Sequence, residues 1–144
     1  MPDNSLLLDT CALRDMSFMK WLKDYNGEIA IPSVVYMERC RQYLEQGLRI
    51  EDLDKLLNNL SIKVLSFNKD NARQAAELMH GRKKEPCEGC GNIDWTDTIV
   101  ASYLYKRDLI ITNNKKDFPT SGGFDGKVLT TDEIMNQAYR SKKR

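Results

Sequence analysis

The sequence predicts a single α/β domain, a three-layer α/β/α sandwich around a central, mostly parallel sheet of four to five strands. Three observations predict it. Short apolar runs alternate with longer segments whose apolar residues recur at helical spacing, the pattern of strand–helix–strand units. The first run, Leu6-Leu7-Leu8, has no polar alternation, as in a strand covered on both faces. The 144 residues suffice for one sizeable hydrophobic core but hardly for two.

Residues 5–9, "SLLLD", form the first strand and end on an acid. Residues 11–25 carry Leu13, Met16, Met19 or Lys20, and Leu22 or Lys23 at helical spacing, and "YNGE" stops them. "EIAI" at 28–31 is the second strand. Pro32 and Ser33 open a helix through Gln46, closed by Gly47. Residues 50–60 place Ile50, Leu53, Leu56, Leu57 and Leu60 on one face of another helix, and "IKVLSF" at 62–67 is the third strand. A helix over 69–82 has Ala72, Ala75, Ala76 and Met79 as its stripe. A loop rich in Gly, Pro and charge spans 83–93. "NIDWTDTIVASYLY" then continues as a helix to Lys106, with Asp94 as its cap. "LIIT" at 109–112 is the fourth strand, "TSGGFDG" a turn, "KVLT" a short fifth strand and "TDEIMNQAY" a closing helix. The domain is expected over 1–139, with 140–144, "RSKKR", as a frayed basic tail.

Composition excludes several classes. A hydrophobic fraction of 41%, a charged fraction of 30% and a net charge of +1 describe an ordinary soluble globular protein. They predict neither a nucleic-acid binder nor a membrane-surface protein. "MPDNSLLLDT" has no basic stretch ahead of its apolar run, no segment reaches membrane-spanning length, and a cytoplasmic location is the expectation. Of the four cysteines, Cys11 and Cys40 read as buried thiols. Cys87 and Cys90, in "PCEGCG", have the spacing of a metal knuckle or a redox pair, and a metal site, a disulfide and free thiols all remain open.

In parallel sheets ligands sit beyond the carboxyl ends of the strands. Asp9 ends the first strand. Thr112, Asn114 and Asp117 follow the fourth. Glu38 lies in the helix after the second strand, and Asp97 begins the helix leading into the fourth. Each acid has a plainer role: Asp9 as a helix cap, Glu38 in an ion pair with Arg41 or beside Gln42, Asp97 completing a reciprocal cap, Asp117 as a turn residue. Capping does not require four acids at one end of a sheet. Clustered carboxylates repel unless protonated or neutralised by a cation. Hard divalent ions such as Mg²⁺ or Mn²⁺ accept an all-oxygen donor set of this kind, with one or two ions per site, and such sites suit phosphoryl chemistry. A single histidine excludes a two-histidine ribonuclease mechanism. No GxGxxG, phosphate loop or GxSxG elbow occurs. Basic residues in "GRKK" (81–84), "YKR" (105–107), "NKK" (114–116) and the tail form a rim suited to a polyanion.

Together, "LLLDT", "IPSVVYMERC", "DWTDTIVASY" and "IITNNKKDF" resemble, in order and rough spacing, the PIN-domain nucleases, most of all the VapC-type toxins. The matched positions are Asp9 and Thr10, Ser33 and Glu38, Asp97, and Thr112, Asn114, Asp117 and Phe118. The resemblance covers nearly the whole chain. It implies a PIN-like sandwich, Mg²⁺- or Mn²⁺-dependent endoribonuclease activity by metal-activated water, a homodimer and inhibition by a small antitoxin protein. On that basis Asp9, Glu38, Asp97 and Asp117 are the expected catalytic and metal-holding acids. Thr10, Ser33, Thr112 and Asn114 are expected to support them, with Asp94 as helix cap or indirect support. The "EPCEGCGN" insertion departs from the family pattern. Alternative readings are an RNA-processing PIN nuclease and a non-catalytic RNA-binding module of the same fold.

Overall fold

The computed structural model describes residues 3–82, 100, 102–103, 108–114 and 127–142, with side chains to residue 77 in the first stretch and to 137 in the last. Asp94, Asp97, Asp117, Cys87, Cys90, most of the helix expected to end at Lys106, the turn at 120–126 and most of the basic rim lie outside the described residues.

Five strands form one sheet: β1 (Leu6–Leu8), β2 (Ile29–Pro32), β3 (Ile62–Leu65), β4 (Leu109–Ile111) and β5 (Val128–Leu129). Their order is β3-β2-β1-β4-β5, and every pairing is parallel. β1 lies in the middle with all three leucines fully buried, as its unbroken apolar text requires. β2 and β4 flank it, with Ile29, Ala30, Ile31, Ile110 and Ile111 in the same core.

The helices are α1 (Thr10–Leu13), α2 (Met16–Trp21), α3 (Ser33–Glu45), α4 (Ile50–Asn59), α5 (Lys69–Arg82) and α6 (Thr131–Lys142). The single helix expected over 11–25 is instead two, followed by a 3₁₀ turn at Leu22–Asp24. The break has a local cause. Asp15 is extended, and its carboxylate accepts from the Phe18 N–H at 3.1 Å, so it starts α2 rather than continuing α1. Phe18, Met19 and Leu22 nevertheless reach the core. α3 ends as its text predicts. Gly47 adopts φ +74°, the Gly47 N–H donates to Leu44 O and the Leu48 N–H to Tyr43 O, a Schellman closure. α6 runs to Lys142 and so takes in the first residues of the expected tail.

Candidate active site

The site follows from strand order. From β1 the chain steps to β2 on one side, and from β4 to β5 on the other. The crevice between the carboxyl ends of β1 and β4 is therefore the topological switch point, where open parallel sheets bind ligands. Register decides what faces it. Leu8 pairs with Ile111, and the Asp9 N–H donates to Ile111 O at 3.0 Å. The next residue on each chain is thus Asp9 on one side and Thr112 on the other.

Asp9 is 4% exposed and Thr112 fully buried. The Thr112 hydroxyl donates to Asp9 Oδ2 at 2.9 Å, while its oxygen accepts from the Asn114 N–H at 3.1 Å. Asp9 Oδ1 accepts from the Thr10 N–H at 2.8 Å. Asp9 caps α1, the plainer role open to it, yet its second oxygen is committed to another strand. The Thr10 hydroxyl donates to Glu38 Oε2 at 3.0 Å. One threonine therefore holds both carboxylates, through its backbone and its side chain.

Glu38 does not make the surface ion pair that its neighbours offered. Arg41 pairs with Glu45 at 2.9 Å, and Arg39 donates to Gln42 at 2.9 Å. Ser33 is engaged elsewhere than with the carboxylates: its hydroxyl hydrogen-bonds the Tyr103 phenol, which donates to Ser66 O at 2.9 Å. Asn114 contributes its backbone N–H to Thr112, and the residue itself is exposed.

Burial raises the Asp9 carboxyl above its usual range, and the Glu38 charge pushes the same way. The hydrogen bonds from Thr10, Thr112 and Cys11 oppose that rise without overcoming it. Among the described residues no Lys, Arg or His pairs with either acid. Such a pair calls for a cation, and its oxygen-only donors suit a hard divalent ion. Among the described residues no cluster of three or more His, Cys, Asp or Glu side chains is arranged to hold a metal. Asp9 and Glu38 are the two described members of the expected four.

Four contributors, Cys11, Asn113, Asp15 and Thr131, escaped the sequence reading. Cys11 is half-buried, not sequestered, with its sulfur 3.7 Å from Asp9 Oδ2 and 3.5 Å from Thr112 Oγ1. Asn113 links that sulfur to α6, and Asp15 joins Thr131 at 2.7 Å. The available signal was adjacency: Cys11 and Asn113 are neighbours of the Asp-Thr and Thr-x-Asn positions already singled out.

A family model described as the PIN domain matches residues 6–120. Among solved structures, a toxin–antitoxin complex from Klebsiella pneumoniae superposes with a TM-score of 0.65 at 19% identity, covering 88% of this chain and 97% of that one. VapBC-1 from nontypeable Haemophilus influenzae gives a TM-score of 0.57 at 17% identity, covering 78% and 89%. No significant match is found among curated proteins. At these identities the structural likeness speaks to the fold.

Proposed function

The chain belongs to the PIN domain family, a family of nucleases, and on that premise we propose that it is a metal-dependent endoribonuclease, the toxin of a toxin–antitoxin pair. The observation that carries the reading is the buried Asp9 carboxylate, joined to Glu38 through Thr10 and given no cationic partner among the described residues. Aligning two acids that repel is unfavourable for a purely structural site. For an ion-binding site it is the working arrangement.

Asp9 and Glu38 would hold Mg²⁺ or Mn²⁺ together with Asp97 and Asp117. The ion supplies activation of water and neutralisation of charge at the scissile phosphate. The chain's own residues orient the donors. Thr10 N–H and the Thr112 hydroxyl bind opposite oxygens of Asp9, so the carboxylate cannot turn about its own axis. The Thr10 hydroxyl sets Glu38 against it. Burial of Asp9 at the switch point limits how far bulk water screens the pair.

Two features support the toxin role. Both solved structures named above are described as toxin–antitoxin assemblies or as VapBC-1. Met37 and Leu44, seven residues apart on one face of α3, are 62% and 60% exposed, an apolar surface that suits a small antitoxin or a second copy of the chain.

Incubating the purified chain with a mixed RNA pool, with Mn²⁺ and then with excess chelator, tests the reading. Cleavage that needs the ion and disappears in Asp9→Asn is expected. Chelator-insensitive RNA binding without cleavage in any metal would replace it with the non-catalytic module.

A further inference from the structure

Cys11 lies in the seam between α1 and the end of β4, and polar groups from both sides converge on its sulfur. The Asn113 N–H donates to Sγ at 3.1 Å. The thiol donates to Asp9 Oδ2 at 3.7 Å, with Thr112 Oγ1 at 3.5 Å beside it. Asn113 is itself anchored by α6: its Oδ1 accepts from the Thr131 N–H at 3.2 Å, and the Thr131 hydroxyl reaches Asp15 Oδ2 at 2.7 Å. A continuous polar chain thus runs from the start of α2, through the start of α6, to the buried carboxylate.

We propose that Cys11 is a positioning residue for Asp9, taking a hydrogen bond from Asn113 and giving one to Asp9, so that docking of α6 fixes the carboxylate's second oxygen. Thr112 alone leaves Oδ2 tied to one flexible hydroxyl. The sulfur, carried on α1 and held by the Asn113 N–H from the end of β4, adds a second restraint as both acceptor and donor. An apolar side chain of similar size would fill the space and make neither bond, whereas serine would keep both kinds. Groups that orient an ion-holding carboxylate govern ion affinity as well as turnover. The inference rests on the reading of Asp9 as an ion-holding acid.

The test compares wild type with Cys11→Ser, Cys11→Val and Cys11→Ala as full chains whose folding is confirmed by thermal melts. Mn²⁺ alone is titrated calorimetrically, and kcat and KM for RNA cleavage are measured separately. Cys11→Val and Cys11→Ala should each weaken Mn²⁺ binding about tenfold and lower kcat comparably at unchanged KM, and Cys11→Ser should remain within about threefold of wild type. Should Val disturb α1, Ala gives the same reading with less bulk. Val and Ala variants that match wild type in both Mn²⁺ affinity and kcat overturn the inference and leave the nuclease reading standing. Ser, Val and Ala variants equally impaired also overturn it, because the hydrogen bonds then make no difference. A wild-type chain that neither binds Mn²⁺ nor cleaves RNA removes the nuclease reading, and this inference with it.

Discussion

Replacing Asp9 by Asn separates what the carboxylate does for the fold from what it does for the reaction. Asn keeps an oxygen for the Thr10 N–H at the Oδ1 position. Its amide nitrogen faces Thr112 Oγ1, and that hydroxyl can turn its proton toward the Cys11 sulfur 3.5 Å away. Only the half-buried Cys11 thiol, a weak donor, loses its acceptor on Oδ2, so the loss from an orphaned polar group is small. What disappears is a desolvated negative charge beside Glu38. Single substitutions that stabilise a natural protein are commonly worth roughly 0.5–2 kcal/mol, which sets the scale here. For a chain of this length that is about 2–8 °C in melting temperature. In chelator at neutral pH, Asp9→Asn should therefore melt above wild type.

The ion reverses the order. At Mn²⁺ a hundredfold above its Kd, binding adds about 2.7 kcal/mol to the native state, and only wild type receives it in full. The pH dependence follows from the raised carboxyl. A group that holds its proton more tightly when folded contributes stability that is fully present below the unfolded carboxylate range and lost as pH rises through the folded value. The gap between metal-free wild type and Asp9→Asn should therefore narrow on acidification. Scanning calorimetry in chelator and in Mn²⁺, at neutral and mildly acidic pH, reads all three effects. An Asn variant that melts below wild type in chelator, or gains as much from Mn²⁺, refutes the reasoning.

Thr112→Val keeps the volume but removes the hydroxyl that donates to Asp9 and accepts from Asn114. Urea denaturation should show a loss of about 1–3 kcal/mol, with cleavage impaired. Leu7→Ala, at the fully buried centre of β1, should cost about 2–5 kcal/mol in the same assay. Gly47→Ala meets no atom within 4 Å, so its cost of about 1–2 kcal/mol would come from the left-handed backbone alone.

The sequence carried the strands, the alternation and the acids readily, because an unbroken Leu-Leu-Leu or Leu-Ile-Ile run has few ways to be stable. It carried strand order far less well. Nothing local to Asp9 says that its neighbour is Thr112, because that adjacency comes from a non-sequential pairing of β1 with β4. Ser33 illustrates the same limit: its position at the start of α3 was legible, its engagement with Tyr103 was not. The break at Asp15 was readable in principle, since an Asp three residues before Phe18 is an ordinary cap, but the apolar stripe running through residues 11–25 masked it.

Thr10 explains why two acids can be aligned here at all. Its amide and its hydroxyl belong to one residue, so the place of Glu38 relative to Asp9 is set largely by covalent geometry at the end of β1. A pair held by long flexible side chains could separate to relieve repulsion, and burial would then be less unfavourable. Here separation would break a hydrogen bond at 2.8 Å or at 3.0 Å. Asp9 answers by raising its proton affinity instead of moving. A divalent cation removes both burdens at once, supplying the charge that desolvation demands and the attraction that offsets Glu38. The same geometry that makes the metal-free site unfavourable is what leaves it ready for an ion, with little reorganisation required when one arrives.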